Sequence, residues 1–379
     1  MNQIIHYHWI DTDEKLKTVC ENACRKSAVA LDTEFIRTRS YYPKLGLIQL
    51  FDGDTVSLID PNPISDFSPF IGLLTCQNVV KVLHACSEDL EVFQHLFKQL
   101  PTPLADTQIM AGFAGGGISL GFAKLVAHYL NVELDKGASR TDWLARPLTE
   151  EQLQYAAADV WYLLPVYQRL VSDLDATRWP NAVEQECRYL LSKRESVANI
   201  AQAYKDISNA WRLEPQQLAI LKVLAKWRIE EAEKRDLALN FVVKENCLFE
   251  IAKLQPKHTS QLLGFMHPNE VRIHGKKLLM LVEQGLAVLP ENYPEKIIRL
   301  VDQANYKYKL KAMQQKLAEI QPPDLAPELL ASKRQLNQLF SWHQQGQNED
   351  KLPELLSGWR REFGLQILSV LQPFFNQHH

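Results

Sequence analysis

The sequence predicts an α/β protein: a mixed sheet with flanking helices, followed by two all-α helical blocks. Over the first 110 residues short apolar runs alternate with helical patterns. From Ser119 onward the periodicity is mostly helical, and Gln321-Pro322-Pro323 and the polar run Gln344 to Asp350 interrupt it late in the chain. At roughly 150 residues per domain, 379 residues imply two or three domains. The reading places a sheet domain at 1–205 and helical domains at 206–291 and 292–379, the last two as possible copies of one small fold.

Val29-Ala30-Leu31 reads as a first strand, Leu47 to Phe51 as a second and Thr55 to Ile59 as a third. The Asp-Gly dipeptide of Asp52-Gly53-Asp54 marks a hairpin between the last two. Ile64 to Leu74 reads as a helix and Val79 to Leu83 as a fourth strand. Ser87 is set to cap a helix running to about Gln99, with Glu88, Asp89 and Glu91 in the first turn where the dipole favours anions. Leu120 to Leu130 and Thr149 to Leu170 follow as amphipathic helices, the second opening on the capping-box pattern Thr149-x-x-Gln152. In the back half, Leu218, Leu221, Leu224 and Trp227 recur at three-residue spacing. No tandem repeat of short period is present.

Composition removes several classes. Hydrophobic residues at 46% and charged residues at 23% are those of a globular chain. The N-terminal MNQIIHYHWIDTDEK has neither a basic segment nor an apolar one, so no signal peptide is expected, and no run approaches a membrane span. The six cysteines form no C-x-x-C pair, which argues for reduced thiols and a cytoplasmic address. Residues 1–209 carry a net charge of −7 and residues 210–379 a net of +4. That split gains meaning only if the front half acts on a polyanion.

The sharpest local feature is Leu31-Asp32-Thr33-Glu34-Phe35. Asp32 and Glu34, two apart at the end of a buried strand, project from one face and repel each other unless a cation or proton offsets them. His84-Ala85-Cys86-Ser87-Glu88-Asp89 places Asp89 in a first helical turn, where a dipole-stabilising role is the plain alternative. Tyr155-Ala156-Ala157-Ala158-Asp159 puts Tyr155 and Asp159 on one helix face, with three alanines permitting close packing. Together they make an all-oxygen donor set of the kind that suits Mg²⁺ or Mn²⁺. Carboxylates holding two such ions ~3.5–4 Å apart are a standard device for phosphodiester cleavage.

The spacing D-x-E, H-x-x-x-x-D and Y-x-x-x-D resembles the DEDD exonuclease superfamily in its tyrosine-bearing branch. Thr38 to Gln49 (TRSYYPKLGLIQ) and Thr141 to Leu148 (TDWLARPL) look like the ribonuclease D family. Arg235-Asp236-Leu237-Ala238-Leu239-Asn240 and His274-Gly275-x-x-Leu278-Leu279 look like an HRDC domain, and Leu352 to Arg360 like a second, diverged copy. The resemblance spans nearly the whole chain. It implies an RNase H-like, proofreading-exonuclease-type sheet with two HRDC-type helical domains behind it. It also implies two divalent ions, Mg²⁺ or Mn²⁺, held by Asp32, Glu34 and Asp159, with Asp89 completing the second site. Tyr155 would orient the attacking water, since a phenol with a free pKa of about 10 is a poor base. The reaction implied is 3′→5′ hydrolysis releasing nucleoside 5′-monophosphates from RNA with a 3′ single-stranded extension, transfer RNA precursors foremost.

Further residues are candidates for holding substrate. Phe35 is set to wedge against a terminal base or to pack in the core. Arg37, Arg39, Tyr41 and Tyr42 form a basic-aromatic loop suited to phosphates and bases. His84 is placed to meet substrate or to cap its strand, and Lys136, Arg140 and Arg146 to track the backbone. Gly115, Gly117 and Gly121 miss the G-x-G-x-x-G spacing by one, which points to a turn rather than a dinucleotide site. The alternatives are a DNA exonuclease, since nothing here reads the 2′-hydroxyl, and a non-catalytic RNA-binding scaffold. No acid of the set is missing, which disfavours the scaffold. A monomer is expected, as no heptad seam is present.

Overall fold

The structure, a computed structural model, describes residues 4–134, 137–138, 140–195 and 199–371. Packing divides the chain into two compact units, one from residues 1–36, 44–196 and 305–379, the other from residues 37–43 and 197–304.

The first unit is built on a six-stranded mixed sheet in the order β1-β4-β3-β2-β5-β6. Its strands are β1 (Tyr7–Ile10), β2 (Ala28–Ile36), β3 (Lys44–Phe51), β4 (Val56–Ile59), β5 (Val80–Leu83) and β6 (Leu104–Asp106). β2 and β3 pair antiparallel, as do β3 and β4, while β1–β4, β2–β5 and β5–β6 are parallel. The predicted hairpin closes as the sequence suggests: Asp52 Oδ1 accepts from the Asp54 and Thr55 amides at 3.0 and 2.8 Å, and Gly53 takes φ +96°. The two outer strands, β1 and β6, were not expected. β6 has only three residues, and β1 (YHWI) lacks the β-branched pair that marks the equally short β4 (VSLI) and β5 (VKVL).

Around the sheet lie α1 (Asp13–Ala23), α2 (Ser68–Thr75), α3 (Ser87–Phe97), α4 (Thr107–Phe113), α5 (Phe122–Leu130), α6 (Glu150–Trp161), α7 (Leu163–Asp175) and α8 (Pro180–Glu195). α2 starts at Ser68 rather than Ile64, because the Ser65 and Asp66 amides are held by Asp13 Oδ1 at 2.8 and 3.1 Å. The helix expected over 149–170 is two helices parted at Tyr162. Pro165 lacks the N–H for a bond to Trp161 and its ring crowds that carbonyl. Ser87 is the first helical residue of α3 and not its cap; Cys86 stands at the cap, with no side-chain hydrogen bond there.

The C-terminal helices α14 (Tyr306–Ile320), α15 (Pro327–Leu330), α16 (Lys333–Gln344) and α17 (Arg361–Ser369) belong to this same unit. Buried Arg360 forms a two-pronged ion pair with Glu186 of α8 and donates to the Leu329 and Leu330 carbonyls. Trp359 Nε1 donates to Glu186 at 2.8 Å, and Trp179 Nε1 to Asp324 at 2.8 Å. The rings of Phe113, Trp179 and Trp359 pack on one another at 5.2–5.9 Å. Segment 305–371 is therefore packed against α4 and α8.

The second unit contains α9 (Pro215–Arg235), α10 (Leu239–Val242), α11 (Glu245–Leu254), α12 (Thr259–Leu262) and α13 (Pro268–Leu286). Leu218, Leu221, Leu224 and Trp227 are all buried in its core, as their spacing predicts. No helix among the described residues is long and apolar enough to cross a membrane.

Candidate active site

β2 supplies two of the acids. Asp32 lies opposite Gln49 of β3 and Glu34 opposite Leu47, and cross-strand partners share a face of the sheet. α6 packs on β2, β3 and β4, and its buried Ala156 and Ala157 allow the approach that brings Tyr155 and Asp159 to those acids. α3 delivers Asp89, buried at 8% exposure. The three elements thus gather the residues that the sequence singled out. Two adjoining hollows of about 220 and about 370 Å³ meet at Tyr155 and Asp159.

The electrostatics are those of anions held together without a counter-charge. Burial, then the charge of Asp159, pushes Asp32 up to about 8. Burial followed by Asp32, Asp159 and Asp89 pushes Glu34 up to about 10. Burial takes Asp159 to about 7 against the opposing hydrogen bond of Tyr155, and burial with Asp32 holds Asp89 well above the ordinary range. The Tyr155 hydroxyl lies in hydrogen-bonding reach of Asp159. Burial and the charges of Asp159, Glu34 and Asp32 raise it, so it is a proton donor and never an anion near neutrality.

An oxygen-only set of four acids in mutual electrostatic reach fits hard divalent cations. Each acid would gain from the cation what it loses to its neighbours. Gln49, beside Asp32, adds a second sign of fit: it is wholly buried with neither amide atom hydrogen-bonded among the described residues. As placed, no three His, Cys, Asp or Glu side chains among the described residues come together closely enough to hold a metal ion. The acids instead lean on local donors, Asp32 on the Thr33 amide at 2.9 Å and Asp89 on the Thr33 hydroxyl.

Supporting residues were missed by the sequence reading. Asp106 accepts from the Ala85 and Cys86 amides at 3.1 and 3.0 Å and from Gln108 and Ile109 at the start of α4. It therefore fixes the turn that launches α3. The helix-capping pattern Asp106-Thr107-Gln108 could have revealed it. Arg194 pins the same helix through Glu91 and the Ser87 carbonyl.

Arg146 requires a correction. Its five N–H donors are all engaged, two on Asp60, two on the Trp143 and Ala145 carbonyls and one on Gly46. None is left for a phosphate. The ladder shift between Glu34 and Phe35 leaves Gly46 as an extra, unpaired residue, and Arg146 Nη2 takes its carbonyl at 2.6 Å. A Cβ at Gly46 would lie 2.5 Å from the Trp143 carbonyl oxygen. This clamp seats Trp143 6.1 Å from the Tyr155 ring, and so supports the site from behind.

The other proposed contacts are dispersed. Tyr42 N donates to Asp236 at 3.0 Å, Tyr41 OH to Glu233 at 3.3 Å, and Arg39 sits 5.8 Å from the Phe241 ring centroid. The loop 37–43 is thus anchored in the second unit. His84 Nδ1 pairs with Thr107 at 2.9 Å and its ring lies against Phe122, which suits the strand-end role. Phe35 is half-buried, and Arg37 and Arg140 are exposed. Lys136 lies outside the described residues.

Comparisons with known proteins agree with this geometry. Residues 7–175 match the 3′-5′ exonuclease family, 217–282 the HRDC domain and 304–368 the C-terminal HRDC domain of ribonuclease D. The chain is 48% identical to ribonuclease D of Haemophilus influenzae, covering 97% of this chain and 93% of that one. It is 50% identical to that of Serratia proteamaculans over 94% and 96%. The crystal structure of Escherichia coli RNase D, an exoribonuclease involved in structured RNA processing, superposes with a TM-score of 0.93 at 46% identity, covering 97% and 99% of the two chains. The 3′-5′ exonuclease fold is generally dependent on divalent metal. The chain belongs to the ribonuclease D family and is a 3′→5′ exoribonuclease.

Proposed function

We propose that this exoribonuclease trims 3′ single-stranded extensions of structured RNAs, transfer RNA precursors foremost, releasing nucleoside 5′-monophosphates. The observation that carries the chemistry is the meeting of Asp32, Glu34, Asp89 and Asp159 with Tyr155 beside two open hollows. The substrate class is carried over from the E. coli enzyme's association with structured RNA processing. Asp32, Glu34 and Asp159, with Asp89, would hold two divalent ions, Mg²⁺ or Mn²⁺. Bound there, the ions supply charge neutralisation and an activated water for in-line attack. Tyr155 donates a hydrogen bond that orients the attacking water. Phe35, Arg37, Arg39, His84 and Arg140 are the candidates for meeting RNA. By resemblance the chain has three domains, 1–205, 206–291 and 292–379, acting as a monomer; the six free cysteines suit a cytoplasmic setting.

The test uses a 5′-labelled transfer RNA with a short 3′ trailer beside DNA of the same sequence, with Mg²⁺, Mn²⁺ or chelator. A one-nucleotide ladder ending near the mature 3′ end, on RNA alone and lost with chelator or in Asp159→Asn, supports the proposal. Equal digestion of DNA would replace it with a general exonuclease.

A further inference from the structure

Thr33 stands between the two acids of β2. It is 6% exposed. Its hydroxyl donates to Oδ1 of Asp89, which arrives 56 residues later in the chain, while its amide donates to Oδ1 of Asp32 at 2.9 Å. One residue therefore touches two of the four acids. A β-branched side chain has few χ1 choices, so the hydroxyl is located by the backbone of β2 itself.

We infer that Thr33 is a positioning residue that references the Asp89 carboxylate to the strand carrying Asp32 and Glu34. The inference rests on the proposed role of Asp89 as a metal-site acid. Asp89 sits at the first turn of a helix whose place is set by Asp106 and Arg194, neither of which touches the carboxylate itself. Thr33 is the side chain that does. Without its hydroxyl the carboxylate would keep only the bond to its own backbone amide, and β2 would align two acids rather than three. Residues of this kind, behind a metal-site acid, typically change metal affinity about 10–100-fold when removed.

Thr33→Val is nearly isosteric and removes only the donor; Thr33→Ser keeps it. Titration of the metal-free protein with Mg²⁺ in a calorimeter, beside single-nucleotide release from RNA, is the test. Thr33→Val should weaken Mg²⁺ binding roughly 10–100-fold and lower turnover at limiting Mg²⁺, with recovery as Mg²⁺ rises. Thr33→Ser should restore both. Placed on Asp89→Asn, Thr33→Val should add nothing. Wild-type Mg²⁺ binding in Thr33→Val, or an equal loss on the Asp89→Asn background, would overturn the inference. Wild-type binding and turnover in Asp89→Asn itself would instead sink the role given to Asp89.

Discussion

Two regions of the first unit bury charge, and they do so in opposite ways. At the Asp60–Arg146 clamp every charged atom has a partner: five donors meet five acceptors, and the ion pair is held at 2.7 Å. At the acid group four carboxylates face one another with only local hydrogen bonds for relief. The contrast separates structure from chemistry. Satisfied buried charge fixes the backbone, whereas unsatisfied charge of one sign is a demand for a ligand. The two lie close in the fold, since the clamp seats Trp143 against Tyr155.

Substitutions should therefore have opposite signatures. Asp159→Asn should lower turnover ~10³-fold or more, yet raise the thermal midpoint of the metal-free protein, because an amide ends the repulsion; a single-turnover assay and a melting curve check both halves. Arg146→Met should destabilise by about 3–5 kcal/mol, since it strands a buried Asp60. Molecules that remain folded should still cleave, which urea unfolding followed by assay below the transition would show. A smaller loss, about 1–3 kcal/mol by the same measurement, is expected for Gly46→Ala, whose new Cβ presses on the Trp143 carbonyl.

The pH dependence divides the regions again, with the smallest effect. Burial alone would raise Asp60, but the hydrogen bonds and charge of Arg146 bring it below its ordinary value. Its contribution is present above the unfolded value of 3.8 and is lost as pH falls. For Asp32 and Asp159 the sign reverses. Their folded values of about 8 and about 7 exceed the ordinary 3.8, so the folded state holds protons that the unfolded chain releases between. Metal-free protein should thus lose stability as pH rises from about 4 to about 8, and added Mg²⁺ should flatten that slope. A slope unchanged by Mg²⁺, measured by melting curves across this range, would break the comparison.

How much of this was written in the chain depends on distance along it. Asp32 with Glu34, and Tyr155 with Asp159, are legible because two-residue and four-residue spacings fix a face locally. The central strands and the α9 core were legible for the same reason. Arg146 was misread because a loop residue of suitable type looks identical whether it meets RNA or a distant carboxylate, and the partner of Tyr41 was hidden for the same reason. Asp60 is 86 residues from Arg146, and Glu233 is 192 from Tyr41. Thr33 was passed over because its partner, Asp89, lies on a different element. The C-terminal block was set apart from residue 292 as a second helical domain, while Arg360 and Glu186 give no local sign that they pair.

That pairing has a consequence for biosynthesis. The unit holding the acids is assembled from the first and last stretches of the chain, with residues 197–304 synthesised between them. Emerging from the ribosome, Phe113 of α4, Trp179 just before α8 and Glu186 within it stay uncovered until Asp324, Trp359 and Arg360 follow. The packing of the nuclease unit is therefore completed only after residues 305–371 have followed the intervening segment.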